Sequence, residues 1–116
     1  MKKTLLLPLL AAMLATGCAT QDRSLYQWGS YENQVYAMYA DGGKTSPQDQ
    51  IAKLEADLEK ARAANKALPP GFQAHLGYLY FQTGRLDQAV AAFETEKLLF
   101  PESRPYMDRL IAQAKK

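Results

Sequence analysis

Apolar side chains recur at the spacing of an α-helix along most of this chain, and no stretch alternates like a half-buried β-strand. The pattern predicts five helices, at about residues 31–39, 46–65, 71–83, 86–100 and 104–116. The connections between them are short, and short connections make consecutive helices antiparallel neighbours. The sequence therefore predicts an all-α fold of antiparallel helical hairpins, in one domain at residues 25–116.

Cap and turn residues support these boundaries. Ser46 can cap the second helix, and Pro47 suits its first position, where a backbone N–H has no helical partner. Gly84 is expected to end the third helix, because glycine adopts the left-handed C-cap conformation without strain. Pro101 cannot continue the fourth helix. The polar face of the second helix is predicted to hold Lys53, Asp57, Glu59 and Lys60.

The start of the chain has the organisation of a secretory signal. Lys2 and Lys3 precede an apolar stretch at residues 5–15, which is too short to cross a bilayer, since that needs ~20 residues. Small residues then lead to Cys18, the single cysteine of the sequence. This arrangement resembles the lipobox of bacterial lipoproteins, although Ala15 stands three places before the cysteine, where that family usually has leucine.

The lipobox resemblance implies a lipid anchor. Residues 1–17 would be the signal peptide, and Cys18 would carry a diacylglycerol and an N-acyl chain, followed by a short tether to residue 24. Ala19 follows the cysteine, and by resemblance to enterobacterial sorting this predicts an outer-membrane protein that faces the periplasm. The alternative is a plain secretory signal that leaves an unpaired cysteine, which is a liability in an oxidising compartment.

Cleavage before Cys18 would change the charge of the chain. It removes 17 of the 116 residues, including two of the 14 basic residues and no acidic one, so that 12 basic residues face 12 acidic ones. A neutral mature chain of 99 residues has no electrostatic footprint for nucleic acid. The tether of six residues reaches at most about 20 Å, so we expect the domain to lie close to the membrane.

The third and fourth predicted helices carry a set of residues at fixed spacing: Leu76, Gly77, Tyr80, Gly84, Leu86, Ala89, Phe93 and Pro101. With these residues, the stretch 70–103 resembles a tetratricopeptide repeat, a helix-turn-helix unit of 34 residues. Gly77 and Ala89 would let the two helices approach closely. Tyr80 and Phe93 would then fill the space beside them.

Two positions depart from the repeat pattern. Gln73 stands where the repeat family prefers a large aromatic residue, and Glu96 stands where it prefers alanine. Glu96 is expected either to loosen the neighbouring packing or to replace it with a polar contact. The first two helices would be a divergent repeat, and the last helix would be a half-repeat or a solvating cap.

A second set of motifs runs along the whole chain. The lipobox is followed by Trp28-Gly29-Ser30-Tyr31, Pro69-Pro70-Gly71, the repeat and Phe100-Pro101-Glu102-Ser103. This order resembles a family of small bacterial lipoproteins that is classed as a domain of unknown function. Its members tend to be encoded beside a curli-pore-type lipoprotein and a second small lipoprotein. The resemblance implies a cell-envelope assembly and no known chemistry.

The sequence contains no pattern typical of an enzyme. His75 is the single histidine, and it is expected at the surface of a helix. No C-x-x-C, H-E-x-x-H, G-x-S-x-G or complete phosphate-loop motif occurs. We expect no enzyme activity, no metal, no cofactor apart from the covalent lipid on Cys18, no small-molecule substrate and no nucleic acid.

One candidate partner-binding surface lies on the third helix. Tyr78, Phe81 and Gln82 lie away from the stripe that holds Leu76 and Tyr80. In the repeat family this second face lines a groove that binds peptides. The alternative is that the last helix covers these side chains.

A second candidate surface lies in an aromatic-rich segment beside the predicted anchor. Trp28 and Tyr31 belong to it, and aromatic residues dominate the binding energy of many interfaces. The alternative is that these rings close the open end of a small core, which needs large side chains for stability.

These features predict binding within the cell envelope. The protein would be a periplasmic scaffold or assembly factor of an envelope complex, with a pore-forming lipoprotein as its first candidate partner. The alternative is an activator or cofactor of a peptidoglycan synthase or hydrolase, as other repeat-bearing lipoproteins are. An enzyme is the third hypothesis, and it would require an activity that depends on His75.

Overall fold

The computed structural model describes residues 24–116, so the predicted signal peptide, Cys18 and the tether before Ser24 lie outside the described residues. The described range holds five α-helices and one short 3-10 helix: α1 Tyr31–Ala40, α2 Pro47–Ala63, α3 Phe72–Gln82, α4 Leu86–Leu99, the 3-10 helix Pro101–Ser103 and α5 Arg104–Ala114. Within this range the backbone forms no strand, only an isolated parallel bridge between Tyr26 and Ala67. The predicted all-α class and the five helices are confirmed.

The helix boundaries follow from local hydrogen bonding. The Ser46 hydroxyl accepts a hydrogen bond from the Asp49 N–H at 3.1 Å, and Pro47 occupies the first position of α2, as predicted. α2 ends at Ala63, two residues earlier than predicted, because Asn65 adopts a left-handed conformation. The Lys66 N–H then bonds back to the Ala61 carbonyl at 2.9 Å, the closure of a Schellman motif.

α3 ends in the same C-cap motif, and here the left-handed residue is the predicted glycine. Gly84 has a φ of +77°, and the Arg85 N–H donates to the Tyr80 carbonyl at 2.9 Å. The connection to α4 is therefore very short, and α3 and α4 form a hairpin.

The core lies where α2, α3, α4 and α5 meet. Its largest fully buried side chains include Ile51 and Leu54 of α2, Phe72, Leu76 and Leu79 of α3, Phe93 of α4 and Met107 of α5. The closest helix contact is the predicted one. A Cβ added to Gly77 would lie 2.7 Å from the Phe93 ring and 3.2 Å from the Ala89 carbonyl oxygen.

One prediction about the polar face of α2 is wrong. Asp57 was expected in solvent, but it is only 4% exposed. Residues 50, 54, 57 and 61 follow one another on the buried side of the helix, and Asp57 holds the third of these positions. Its carboxylate accepts hydrogen bonds from the N–H and the hydroxyl of Ser30, so the burial is compensated.

The departure at Glu96 is resolved in favour of a polar contact. Glu96 is 3% exposed and lies on the buried stripe of α4 with Ala89, Ala92 and Phe93. Its Oε1 accepts a hydrogen bond from the Gly71 N–H at 2.7 Å. The carboxylate thereby joins α4 to the turn that begins α3.

Candidate binding groove

A groove of about 350 Å³ lies between the helices α1, α3 and α5, and we call it the tyrosine groove. It is lined by Met38, Tyr39, Ala74, His75, Tyr78, Tyr106 and Leu110. The three helices are the first members of successive pairs, and none of the seven lining residues comes from α2 or α4. The groove therefore occupies one side of the helical array.

The position of the groove follows from the geometry of α3. Successive residues of an α-helix are rotated by about 100°, so residues 74, 75 and 78 share one face. Residues 73, 76 and 80 share roughly the opposite face, and they line a shallower depression of about 240 Å³ on the side of α2 and α4. α3 thus separates two different surfaces.

Three tyrosines form the walls of the groove. Tyr39 is 79% exposed and Tyr106 is 60% exposed, whereas Tyr78 is half-buried. Each phenol presents an apolar ring with a hydroxyl that can donate and accept a hydrogen bond. The lining carries no acidic, lysine or arginine side chain among its seven described residues, so the groove suits an uncharged ligand surface.

His75 lies in the same lining and is half-buried, not at the helix surface as predicted. The edge of its ring meets Tyr31, with ring centroids 6.1 Å apart. Burial lowers the pKa of the imidazole below its ordinary value, so His75 is neutral at pH 7. Its Nε2 is buried with no hydrogen-bond partner among the described residues, so the packing of this ring leaves one polar atom unpaired.

The aromatic segment before α1 leads into this site. Trp28 stacks on Tyr31, with ring centroids 6.3 Å apart and an interplanar angle of 29°. Tyr31 in turn packs against Phe72 at 5.6 Å and against His75. Tyr31 thus contacts the core, while Trp28 remains partly exposed on its outer side. The two candidate surfaces of the sequence analysis are connected through the Tyr31–His75 contact.

The three candidates on α3 are separated by the structure. Tyr78 lines the tyrosine groove, whereas Phe81 and Gln82 are exposed at the C-terminal end of α3 and do not line it. The last helix borders the groove through Tyr106 and Leu110. The buried side of α5, with Met107 and Ile111, packs against the core, so α5 flanks Tyr78 without covering it.

Residues 25–110 match the family model of a domain of unknown function, DUF4810. The chain belongs to this family. No curated protein and no solved structure shows a significant match to the chain.

The DUF4810 region covers α1 to α4 and more than half of α5. Within it, the Trp-Gly-x-Tyr and Pro-Pro-Gly segments meet at Tyr31 and Gly71. A Cβ added to Gly71 would lie 2.6 Å from the Tyr31 hydroxyl oxygen, so glycine leaves the space that the phenol occupies. Burial raises the pKa of Tyr31, and the negative charge of Glu96 raises it further, so the phenol stays protonated.

Six of the seven groove residues of the DUF4810 domain were not among the partner-binding residues predicted from the sequence: Met38, Tyr39, Ala74, His75, Tyr106 and Leu110. Tyr39 is the penultimate residue of α1, separated by one residue from the Asp41-Gly42-Gly43 turn, and its sequence position indicates only a helix end. Tyr106 is the single aromatic residue of the amphipathic helix α5. Its exposure beside the buried Met107 could have been found from the amphipathic period of α5.

Two further properties concern residues 24–116. No group of three or more His, Cys, Asp or Glu side chains in this range is placed to hold a metal ion. No helix in this range is long and apolar enough to cross a bilayer.

Proposed function

We propose that this DUF4810 protein is an outer-membrane lipoprotein whose helical domain binds a protein partner in the periplasm. It acts as a scaffold or assembly factor of a cell-envelope complex, and a diacylglycerol and an N-acyl chain on Cys18 anchor it. The observation that carries the proposal is the tyrosine groove, an open, uncharged and aromatic surface between α1, α3 and α5.

The tetratricopeptide-like interpretation supports a peptide ligand for this groove. Leu76, Gly77, Tyr80, Ala89 and Phe93 are buried, and Gly77 lies against Phe93 and Ala89, which is consistent with the repeat pattern. In such repeats the first helix of each pair lines the concave surface, and here α1, α3 and α5 hold that position. The proposed ligand is therefore an extended or helical segment of another protein.

The chemistry of the groove narrows the ligand. Three tyrosines offer apolar faces to side chains and hydroxyls to a peptide backbone. None of the seven described lining residues is acidic, lysine or arginine. A partner segment rich in apolar or aromatic residues therefore fits the groove better than a strongly acidic or basic one.

A pore-forming lipoprotein of the curli-pore type is the partner we propose first, on the resemblance described above. A peptidoglycan synthase or hydrolase is the alternative. A photoreactive amino acid at Tyr106 or Tyr78, in cells that express the full chain, tests both. We expect a crosslinked envelope protein that mass spectrometry identifies as a pore-type lipoprotein, and a peptidoglycan enzyme would support the alternative.

The matched control for this experiment is Tyr36, which is exposed on α1 but lies outside the groove. The same photoreactive residue at this position should capture much less partner. Tyr78→Ala with Tyr106→Ala should remove most of the captured partner and leave the melting temperature nearly unchanged. Phe81→Ala should have little effect. Equal capture from Tyr36 and Tyr106 would contradict the proposal.

The anchor needs its own experiment. One acyl chain gives only marginal membrane binding, whereas two or more anchor a protein stably. Cys18→Ser should therefore move the protein from the membrane to the soluble periplasmic fraction and abolish palmitate labelling. Retention of the variant in the membrane, with labelling unchanged, would show that Cys18 is not the anchor.

A further inference from the structure

A second cavity of about 290 Å³ lies at the C-terminal ends of α2 and α4, and we call it the apolar notch. Its apolar lining comes from Tyr26, Leu58, Ala61, Leu68, Leu99 and Phe100. Arg62 and Lys66 also line it. The ring of Tyr26 meets that of Phe100 at 6.4 Å, so the segment before α1 forms one wall.

One exposed leucine lines this notch, and two more are chain neighbours of lining residues. Leu99 is 53% exposed, and its neighbour Leu98 is 82% exposed. Leu25, next to Tyr26, is 81% exposed. A single exposed leucine is normal on a soluble protein, but three at one end of a small domain, beside an apolar cavity, form a patch typical of an interaction surface.

The notch lies close to where the proposed lipid anchor enters the domain. Tyr26 is only two residues after Ser24, the first residue that the structure describes. Ser24 is the sixth residue after Cys18, so the chain between them spans at most about 20 Å. A lipid on Cys18 therefore holds this end of the domain within a tether's length of the bilayer surface.

The notch and the tyrosine groove lie on different sides of α3. The notch shares Leu58 and Arg62 with the depression on the side of α2 and α4, which Gln73, Leu76 and Tyr80 line from α3. The tyrosine groove uses the opposite face of that helix. A membrane contact at the notch would leave the groove open to the periplasm.

We infer that the apolar notch and the leucines around it form a lipid-docking surface, which contacts the acyl chains and headgroups of the bilayer that holds the Cys18 anchor. The inference rests on the proposed lipidation. Once the chain is anchored, docking is an intramolecular step at high effective concentration, so a small apolar contact is sufficient. Arg62 lines the notch and can approach anionic headgroups, although it also pairs with Glu59 at 2.8 Å.

Trp28 provides a natural probe for this surface, because it is the single tryptophan of the sequence. It is partly exposed, and its ring lies 6.3 Å from that of Tyr26 in the notch wall. Acylated protein, purified from membranes and reconstituted in vesicles whose lipids carry bromine on the acyl chains, should show quenched Trp28 fluorescence. Leu98→Glu with Leu99→Glu should reduce the quenching at least twofold while the protein still sediments with the vesicles.

The control variant is Leu86→Glu, an exposed leucine at the opposite end of α4, and it should be quenched like the wild type. Thermal melts must show that the variants are folded. Leu98→Glu alone replaces the double variant if the latter is unstable, because Leu98 has the more exposed side chain.

The possible outcomes separate this inference from the proposed function. If the acylated double variant shows the same quenching as the wild type, the inferred lipid-docking surface is wrong, while the proposed anchor is unaffected. The same result, together with loss of a chemically crosslinked dimer, assigns the patch to a second copy of the chain instead. Absence of acyl chains from the purified protein, measured by mass spectrometry, overturns both proposals.

Discussion

The buried carboxylate of Asp57 in α2 accepts two hydrogen bonds from Ser30, one from the backbone N–H at 2.8 Å and one from the hydroxyl at 2.6 Å. Gly29, with a φ of +51°, lies directly against the same carboxylate, where any Cβ would overlap it. This contact fixes the start of α1 on α2. It gives a physical reason for a glycine and a hydroxyl residue between Trp28 and Tyr31.

The Asp57–Ser30 contact predicts a large effect of a small substitution. Asp57→Ala should lower the free energy of unfolding by ~1–3 kcal/mol, because it leaves the buried donors of Ser30 without an acceptor. Asp57→Asn keeps one oxygen and should cost less. Urea unfolding measures both. Glu59→Ala, on the exposed side of α2, is the control and should stay within ~0.5 kcal/mol of the wild type. Equal losses for Asp57→Ala and Glu59→Ala would contradict the burial of Asp57.

Gly71 and Gly84 form a matched pair, because both have positive φ but only Gly71 lacks room for a Cβ. Alanine at either position should cost ~1–3 kcal/mol for the left-handed backbone. Gly71→Ala should cost more, since its Cβ would collide with the Tyr31 hydroxyl. Tyr31→Phe removes that hydroxyl and should rescue part of the loss in Gly71→Ala but none in Gly84→Ala. A double-mutant cycle by thermal unfolding measures the coupling, and additive losses would argue against the collision.

The α3–α4 contact at Gly77 predicts that α4 tolerates no enlargement there. Ala89→Leu should overpack the contact and cost ~1–3 kcal/mol. Phe93→Ala should cost ~3–5 kcal/mol, because it leaves a cavity beside Gly77. Ala91→Leu, on the exposed face of α4, is the control and should melt like the wild type. If all three variants have the same melting temperature, the assigned packing of α4 is incorrect.

The half-buried His75 predicts a pH dependence of stability. Its pKa in the folded protein is lowered by burial, so the unfolded chain binds a proton more readily than the folded one. Stability should therefore fall as the pH drops below about 6.5, the ordinary pKa of histidine. Urea unfolding at pH 7.5 and 5.5 should show a larger loss for the wild type than for His75→Gln. Parallel losses would show that other groups cause the acid sensitivity.

Local rules in the sequence predicted the helices, because they depend on neighbouring residues. Ser46 with Pro47 and Gly84 mark helix ends through backbone hydrogen bonds that reach only a few residues. The approach of Gly77 to Ala89, with Phe93 beside them, was also predicted, from the resemblance of these residues to a tetratricopeptide repeat. The helical period alone was sufficient to place Tyr78 on the side of α3 that lines the groove. Its role in binding is still a prediction.

The tertiary structure decided which polar residues are buried. Asp57 and Glu96 lie on apolar stripes, but their burial depends on donors 27 and 25 residues away, at Ser30 and Gly71. A helical period indicates the side of a helix and not the partner that covers it. From the sequence alone, such a buried carboxylate is therefore easily mistaken for a solvent-exposed one.

The sequence by itself determined the class of the fold, the helix ends and the α3–α4 hairpin, since these follow from short-range sterics and hydrogen bonds. The tyrosine groove required the tertiary structure. Its walls come from Tyr39, Tyr78 and Tyr106, which are far apart along the chain and come together only after α1 packs against α2 and α5 packs against α4. The packing of distant helices depends on burial of apolar surface over the whole domain, so a local sequence pattern does not predict it.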